Sequence, residues 1–268
     1  MSSTFAFFAS QRFLPLFSTQ FLGAFNDNLL KTAFLVWVSY AGLSFAGLPA
    51  VQIVNLASGL FILPFFLFSA TAGRLAEKID KARVARWVKL SELAIMLLAA
   101  LGFSQHHAGV LLLALFLMGA HSTFFGPVKY AMLPQHLRPH ELIGGNGLIE
   151  MGTFIAILLG QMAGGMLALH SLPLTIALLM LAAALGWASS RTIPPAPPSA
   201  PDLPLHLNLW RDTADLLCQA RRTPALWTAM LGISWFWLLG AVYLTQLPTF
   251  TRLHLGGDPQ VYTLILAV

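Results

Sequence analysis

Charge is what this sequence has least of. Of 268 residues only 9% are Asp, Glu, Lys or Arg, where an ordinary soluble domain carries roughly a quarter. Fifteen basic and ten acidic side chains cannot cover the surface of a water-soluble fold of this length, so the fold is one whose surface lipid solvates. Cysteine is nearly absent as well: Cys218 alone excludes an internal disulfide and a cysteine-rich metal site. No Gly-x-x-x-x-Gly-Lys-Ser/Thr run occurs, which gives no support to ATP-driven work by this chain. The only Gly-x-Gly, Gly145 to Gly147, opens an apolar helix instead of following a strand and so does not read as a dinucleotide site. His106 and His107 have no further ligands at metal spacing and read as two solvated histidines. No metal and no cofactor are expected.

Hydrophobic residues make up 57% of the chain and the mean hydropathy is +0.74. Crossing a hydrocarbon core takes about 20 apolar helical residues, whereas a membrane barrel reads as alternating segments of about ten. The chain reads as helices, an all-α polytopic membrane protein, with spans at about 13–41, 50–72, 86–104, 109–130, 143–169, 173–190 and 225–250. The first stretch is too long for a signal-peptide apolar region, contains Asn26, Asp27 and Asn28, and is followed by no small-x-small cleavage site. An eighth apolar segment begins at Val261 and stops at Val268, about 12 Å of helix. The chain therefore reads as ending within a span.

Basic residues bias a loop toward the cytoplasm. Arg12, the group Arg74, Lys78, Lys81, Arg83, Arg86 and Lys89, and Arg138, Arg191, Arg211, Arg221 and Arg222 fall on one side, against Arg252 on the other. The reading is an N-terminus on the cytoplasmic side. This placement also accounts for the formal charge of +5 as a topology signal and an attraction to anionic lipid, with no nucleic-acid partner required. Six prolines between Pro194 and Pro204 mark a semi-rigid linker, and Leu205 to Ala220 suits an amphipathic helix on the membrane surface. The expected organisation is a six-helix half (1–190), a cytoplasmic linker (191–224) and the start of a second half (225–268), the layout of a secondary transporter built from repeats.

An ionisable group at mid-bilayer costs about 2.5–3.5 kcal/mol on insertion scales and calls for a partner or a wet cavity. Asp27 lies about 21 Å into the first span, with Lys31 four residues later on the same face. They read either as a self-neutralising pair or as cavity-lining charges that bind a headgroup or coupling ion. Asn26 and Asn28 extend the polarity over other faces of the same helix. His121, Ser122, Thr123, Gly126, Pro127 and Lys129 lie together in span four, where Gly-Pro is expected to break the helix unless it is only a kink beside a snorkelling lysine. Glu150, at similar depth in span five, is a candidate partner of Lys129. Gly160 and Gly164 read as close helix packing.

Gly73-Arg-Leu-Ala-Glu77-Lys78-Ile-Asp80-Lys81-Ala-Arg83 resembles the loop between spans two and three that marks the major facilitator superfamily, with Glu77 and Asp80 in place of its aspartate and second glycine. The resemblance implies a gating role for Gly73, Glu77, Lys78, Lys81 and Arg83. Two further runs, Gln20-Phe-Leu-Gly-Ala-Phe-Asn-Asp-Asn-Leu29 and Phe124-Phe-Gly-Pro-Val-Lys-Tyr-Ala-Met-Leu-Pro-Gln135 continuing from Glu141 to Phe154, are similar to bacterial lysophospholipid transporters, especially those fused to an acyltransferase and acyl-carrier-protein synthetase. That resemblance implies passage of lysophosphatidylethanolamine-like lipids across the bacterial inner membrane for re-acylation, with a fused or associated acyltransferase as partner. It makes Asp27, Lys31, Lys129 and Glu150 candidates for headgroup contact or gating, and with Asn26 and His121 from the polar runs above they form the set of substrate or coupling candidates. The acyltransferase's His-x-x-x-x-Asp is not found: His206 and Asp212 are separated by five residues, His254 and Asp258 by three. No enzyme activity is expected. An exporter of drugs or solutes, or a non-transporting membrane fragment, stands as the alternative. With one second-half span complete, these residues alone are expected not to transport.

Overall fold

The computed structural model describes residues 7–203 and 209–267. Nine α-helices follow one another in these residues: α1 (Leu14–Tyr40), α2 (Ala50–Lys78), α3 (Lys81–Ser104), α4 (Ala108–His136), α5 (Leu142–Leu167), α6 (Leu172–Arg191), α7 (Leu209–Arg221), α8 (Pro224–Leu253) and α9 (Pro259–Ala267), with a short 3₁₀ turn at Pro139–Glu141 before α5. No strand occurs among the described residues. The helix ends have local causes. Pro15 sits in the first turn of α1, where its missing N–H costs nothing. Gly42, at φ +71°, lets the chain fold back so that the Leu43 N–H reaches the Trp37 carbonyl at 3.3 Å. Asp80 caps α3 by accepting the Arg83 N–H at 2.9 Å.

Six helices, α2 to α6 and α8, are long and apolar enough to cross a membrane. Helix α1 falls outside that set, although its 27 residues would reach about 40 Å. Its interior residues include Gln20, Asn26, Asn28 and Thr32, all buried, and it is wrapped by protein. Helix α1 lies along α5 and α6, α2 along α4, and α3 between α4 and α6, while α9 docks on α5. The close α1–α5 approach rests on glycine. A Cβ at Gly160 would collide with the Phe25 carbonyl, and one at Gly164 would come within 2.9 Å of Thr32 Cβ. This is the small-residue packing that the Gly-x-x-x-Gly spacing anticipates.

Several segments differ from the sequence expectation. Helix α4 runs unbroken through Pro127 and Pro134, so Gly126-Pro127 does not interrupt it. Helices α2 and α3 extend so far that only Ile79 and Asp80 separate them, and the expected loop is almost all helix. The amphipathic segment forms as Leu209–Arg221; its first expected residues, 205–208, lie outside the described residues.

The apolar core is split in two. One cluster gathers Leu16, Val88, Phe125 and their neighbours toward the basic end of the bundle, where α1 begins. The other gathers Leu29, Ile95, Met96 and Met118 toward the opposite end. Between them, on the same three helices, lies a polar waist.

Candidate functional site

The waist is built from α1, α3 and α4. Glu92 of α3 is fully buried, and each of its oxygens has an opposite number. Oε1 accepts the Asn26 amide of α1 at 2.7 Å. Oε2 forms an ion pair with Lys89, one turn back on α3 and equally buried, and lies 3.1 Å from His121 Nε2 of α4. The Lys89 ammonium fits because two helices lack side chains beside it: a Cβ at Gly186 of α6 would lie 2.8 Å from Nζ, and one at Gly23 of α1 3.2 Å. Two buried charges are tolerated here because each neutralises the other, and Glu92 is held by the Asn26 amide besides.

Lys89 and Glu92 are what sequence reasoning missed. Positional counting assigns Lys89 to the basic cytoplasmic group, but it is 0% exposed and paired inside α3. The available signal was Glu92 itself, a carboxylate well inside an apolar span and three residues after a lysine. A charge there requires a partner.

Of the expected site residues, the structure brings Asn26 and His121 to Glu92. Asp27, one residue further on α1, turns away from Glu92 and accepts the Ser122 hydroxyl at 2.6 Å through Oδ2. Its other oxygen, Oδ1, is buried without a hydrogen-bond partner. Ser122 Oγ in turn lies 3.5 Å from His121 Nδ1. Lys31 is not ion-paired with Asp27 within 4 Å: its ammonium stands over the Phe61 ring of α2, 5.3 Å from the centroid. The self-neutralising pair therefore does not form.

Lys129 and Glu150 are not ion-paired either. Glu150 accepts the Tyr130 hydroxyl, and the Lys129 ammonium stands 4.7 Å from the Tyr130 ring centroid, so the tyrosine that follows the lysine takes the carboxylate. Tyr130 and Glu150 open onto a cleft of about 450 Å³ between α5 and α8, otherwise lined by Phe154, Gly232, Ile233, Phe236 and Trp237. Phe154 and Trp237 stack across it with planes 3° apart.

At the basic end, the expected gating residues meet the linker. The stretch from Ile193 to Ala200 lies across the α2–α3 turn. The Glu77 carbonyl accepts the Ser199 and Ala200 N–H groups at 2.9 and 3.0 Å. Asp80 accepts the Ala196 N–H at 3.0 Å. Lys81, 1% exposed, donates through Nζ to the Pro197 carbonyl at 3.0 Å and to Ser199 Oγ at 3.1 Å. Arg86 donates to the Ile193 carbonyl and Gln135 to that of Pro197. Gly73 and Lys78 belong to the last turns of α2, and Arg83 is exposed on the first turn of α3. Arg12 adds a second tie, a two-pronged ion pair with Glu141 at 2.5 and 2.6 Å. Among the described residues no cluster of His, Cys, Asp and Glu could hold a metal.

This architecture, buried charges at the waist of an apolar helical bundle and the stretch 193–200 strapped over one end, is that of an all-α polytopic membrane protein. The chain belongs to the Major Facilitator Superfamily, whose sequence model matches residues 3–268. Among individual proteins, it is 26% identical over 266 residues to Lysophospholipid transporter LplT of Serratia proteamaculans (strain 568), an alignment covering 97% of this chain and 63% of that one. The LplT of Pectobacterium carotovorum subsp. carotovorum (strain PC1) is 27% identical over 227 residues, 82% of this chain and 52% of that protein. That of Salmonella arizonae (strain ATCC BAA-731 / CDC346-86 / RSK2980) is 32% identical over 162 residues, 59% and 37% of the two chains. The chain thus spans less than two thirds of the length of these relatives. The names of these relatives are those of transporters.

Proposed function

We propose that the chain is part of a carrier that moves lysophospholipid, with a lysophosphatidylethanolamine-like headgroup, across the bacterial inner membrane. Its N-terminus is cytoplasmic, residues 1–190 make the first half, 191–224 the linker and 225–268 the start of the second half. The observation that carries the reading is on α1. Asp27 Oδ1 is a buried carboxylate oxygen without a donor, and four residues on, Lys31 has no carboxylate within ion-pair distance among the described residues. A buried acceptor and a cation one helical turn apart match the ammonium and phosphate of a zwitterionic headgroup. The names of the relatives support the same substrate class.

The acyl chain needs an apolar wall, and the cleft between α8 and α5, the helix that packs along α1, offers one, with Tyr130, Glu150 and the neighbouring Lys129 at its polar rim. The α2–α3 turn, with Gly73, Glu77, Lys78, Lys81 and Arg83, is the gate, and the delivered lysolipid is the substrate of an acyltransferase that re-acylates it. The test is uptake of radiolabelled lysophosphatidylethanolamine into spheroplasts lacking their own carrier, with the protein expressed from its full coding sequence. Asp27→Asn is expected to lower uptake at least about tenfold, the loss of one charge-assisted hydrogen bond, with membrane insertion unchanged. Equal uptake by the two proteins would leave Asp27 a structural residue and remove the support for this reading.

A further inference from the structure

The directions of the hydrogen bonds around His121 determine how many protons it carries. A serine hydroxyl has one proton to give, and Ser122 gives it to Asp27 Oδ2 at 2.6 Å. Toward His121 Nδ1, 3.5 Å away, Ser122 can therefore only accept, so Nδ1 bears hydrogen. The other ring nitrogen, Nε2, lies 3.1 Å from Glu92 Oε2, close enough for an ion pair although not aligned as a hydrogen bond. Glu92 is itself fixed as an acceptor, because Asn26 and Lys89 both donate to it. A bare lone pair on Nε2 would face a carboxylate oxygen in a site 6% exposed, whereas a proton there turns repulsion into attraction. Both nitrogens thus face acceptors.

The charge count agrees. Lys89 balances Glu92, and Asp27 has no cation at ion-pair distance among the described residues; a protonated His121, joined to it through Ser122, supplies one. The charged groups near this site are Asp27 and Lys31 of α1, Lys89 and Glu92 of α3 and Lys129 of α4 itself. Helix α5 brings Glu150, already held by Tyr130, α2 brings Arg74, Glu77 and Lys78 at the basic end, and α6 only Arg191 at its end.

We propose that His121 is a proton-binding site wired to Asp27 through Ser122, so that a proton on His121 and an ammonium group at Asp27 exclude one another. The second half of the statement rests on the function proposed above for Asp27. It makes proton concentration a determinant of headgroup selectivity. At low pH the imidazolium occupies the field of Asp27 and disfavours headgroups that carry an amine; as pH rises and the proton leaves, the Asp27 charge becomes available to them. A lysophospholipid with a glycerol headgroup, which has no ammonium, is insensitive to the exchange.

Two measurements test this. In the full chain, ¹⁵N-histidine labelled and reconstituted in nanodiscs, the spectrum of the wild type minus that of His121→Gln isolates the His121 resonances. They are expected to show imidazolium at roughly pH 6, where burial without an acceptor at each nitrogen would leave an imidazole neutral, and Ser122→Ala is expected to reduce that imidazolium fraction. Neutral-imidazole resonances for His121 at that pH would overturn the proton site. In the uptake assay, the ratio of lysophosphatidylethanolamine to lysophosphatidylglycerol transported is expected to rise about tenfold between roughly pH 5.5 and 8, as expected for removal of one nearby like charge, and to stay flat in His121→Gln. A flat ratio in the wild type, with both lipids taken up, would overturn the exclusion. If neither lipid is taken up at any pH, the carrier reading fails while the resonances still decide the proton site.

Discussion

Lys89 and Glu92 give a sharp thermodynamic expectation. Both are 0% exposed and paired with each other, and the lysine head lies against Gly23 and Gly186. Lys89→Met keeps the length and apolar stem but leaves the Glu92 carboxylate with only Asn26 and His121. Breaking a buried pair from one side costs about 3–5 kcal/mol, and at about 2–4 °C per kcal/mol for a chain of this size the midpoint should fall by roughly 6–20 °C. Glu92→Gln should cost a similar amount by stranding the ammonium. In the double variant no charge is stranded, and the loss should shrink to about 1–2 kcal/mol, an interaction energy of several kcal/mol between neighbours. The assay is thermal unfolding of the purified variants in one detergent, followed by tryptophan fluorescence. The half-exposed Arg12–Glu141 pair, with side chains 34% and 11% accessible, is the internal control, and Arg12→Ala should cost no more than about 1 kcal/mol. A Lys89→Met variant as mild as that control, or a double variant whose loss is the sum of the singles, would refute the claim that this pair is a dry, mutually compensating one.

Two other perturbations probe how the site is held. Gly160→Ala places a methyl against the Phe25 carbonyl of α1, whereas Gly59→Ala in α2 meets nothing within 4 Å. The first should destabilise by about 1–3 kcal/mol through overpacking and the second by no more than about 0.5 kcal/mol, read in the same unfolding assay; equal effects would contradict the close α1–α5 approach. Lys81→Met removes two hydrogen bonds from the linker strap. Exchange of the Ser199 and Ala200 amides, which donate to Glu77, should then quicken at least about tenfold, the equivalent of one charge-assisted bond; unchanged exchange would mean that the backbone bonds alone hold the strap.

Helix positions were legible because lipid imposes a simple rule, one apolar run per crossing. The helices expected at 13–41 and 173–190 are Leu14–Tyr40 and Leu172–Arg191, although α1 falls outside the set apolar enough to cross a membrane. The basic-end extensions of α2, α3 and α4 were not legible, because beyond the hydrocarbon the helix continues on capping and packing, such as Asp80 on Arg83, and hydropathy is blind to these. Among the site candidates, sequence spacing brought forward α1 but left open whether its charges pair. A four-residue spacing puts Asp27 and Lys31 on one face, yet which neighbour each side chain chooses is decided by Ser122 and Phe61, 95 and 30 residues away in the chain. The Lys89–Glu92 pair was in plain view at a three-residue spacing. It was hidden by a rule about loops, since a lysine in the first turns of a helix is counted as lying outside the membrane whether or not the fold encloses it.

The adjacency of Asn26 and Asp27 explains how one helix can serve both structure and chemistry. Successive helical residues diverge by about 100°, so a helix whose Asn26 is bound to the Glu92–Lys89 pair must turn Asp27 toward a different neighbour, here Ser122 on α4. The buried pair therefore does more than satisfy itself: with Gly160 and Gly164 pressed against the opposite side of the helix, it fixes the rotation of α1. A slip of α1 by one residue would bring Asp27 to Glu92, two carboxylates in a dry site, at a cost that no nearby hydrogen bond offsets. The polar waist thus holds α1 in the one register in which Asp27 keeps an oxygen, Oδ1, free of protein partners. The waist consequently accounts for both the presence of charges inside the bundle and the availability of one of them.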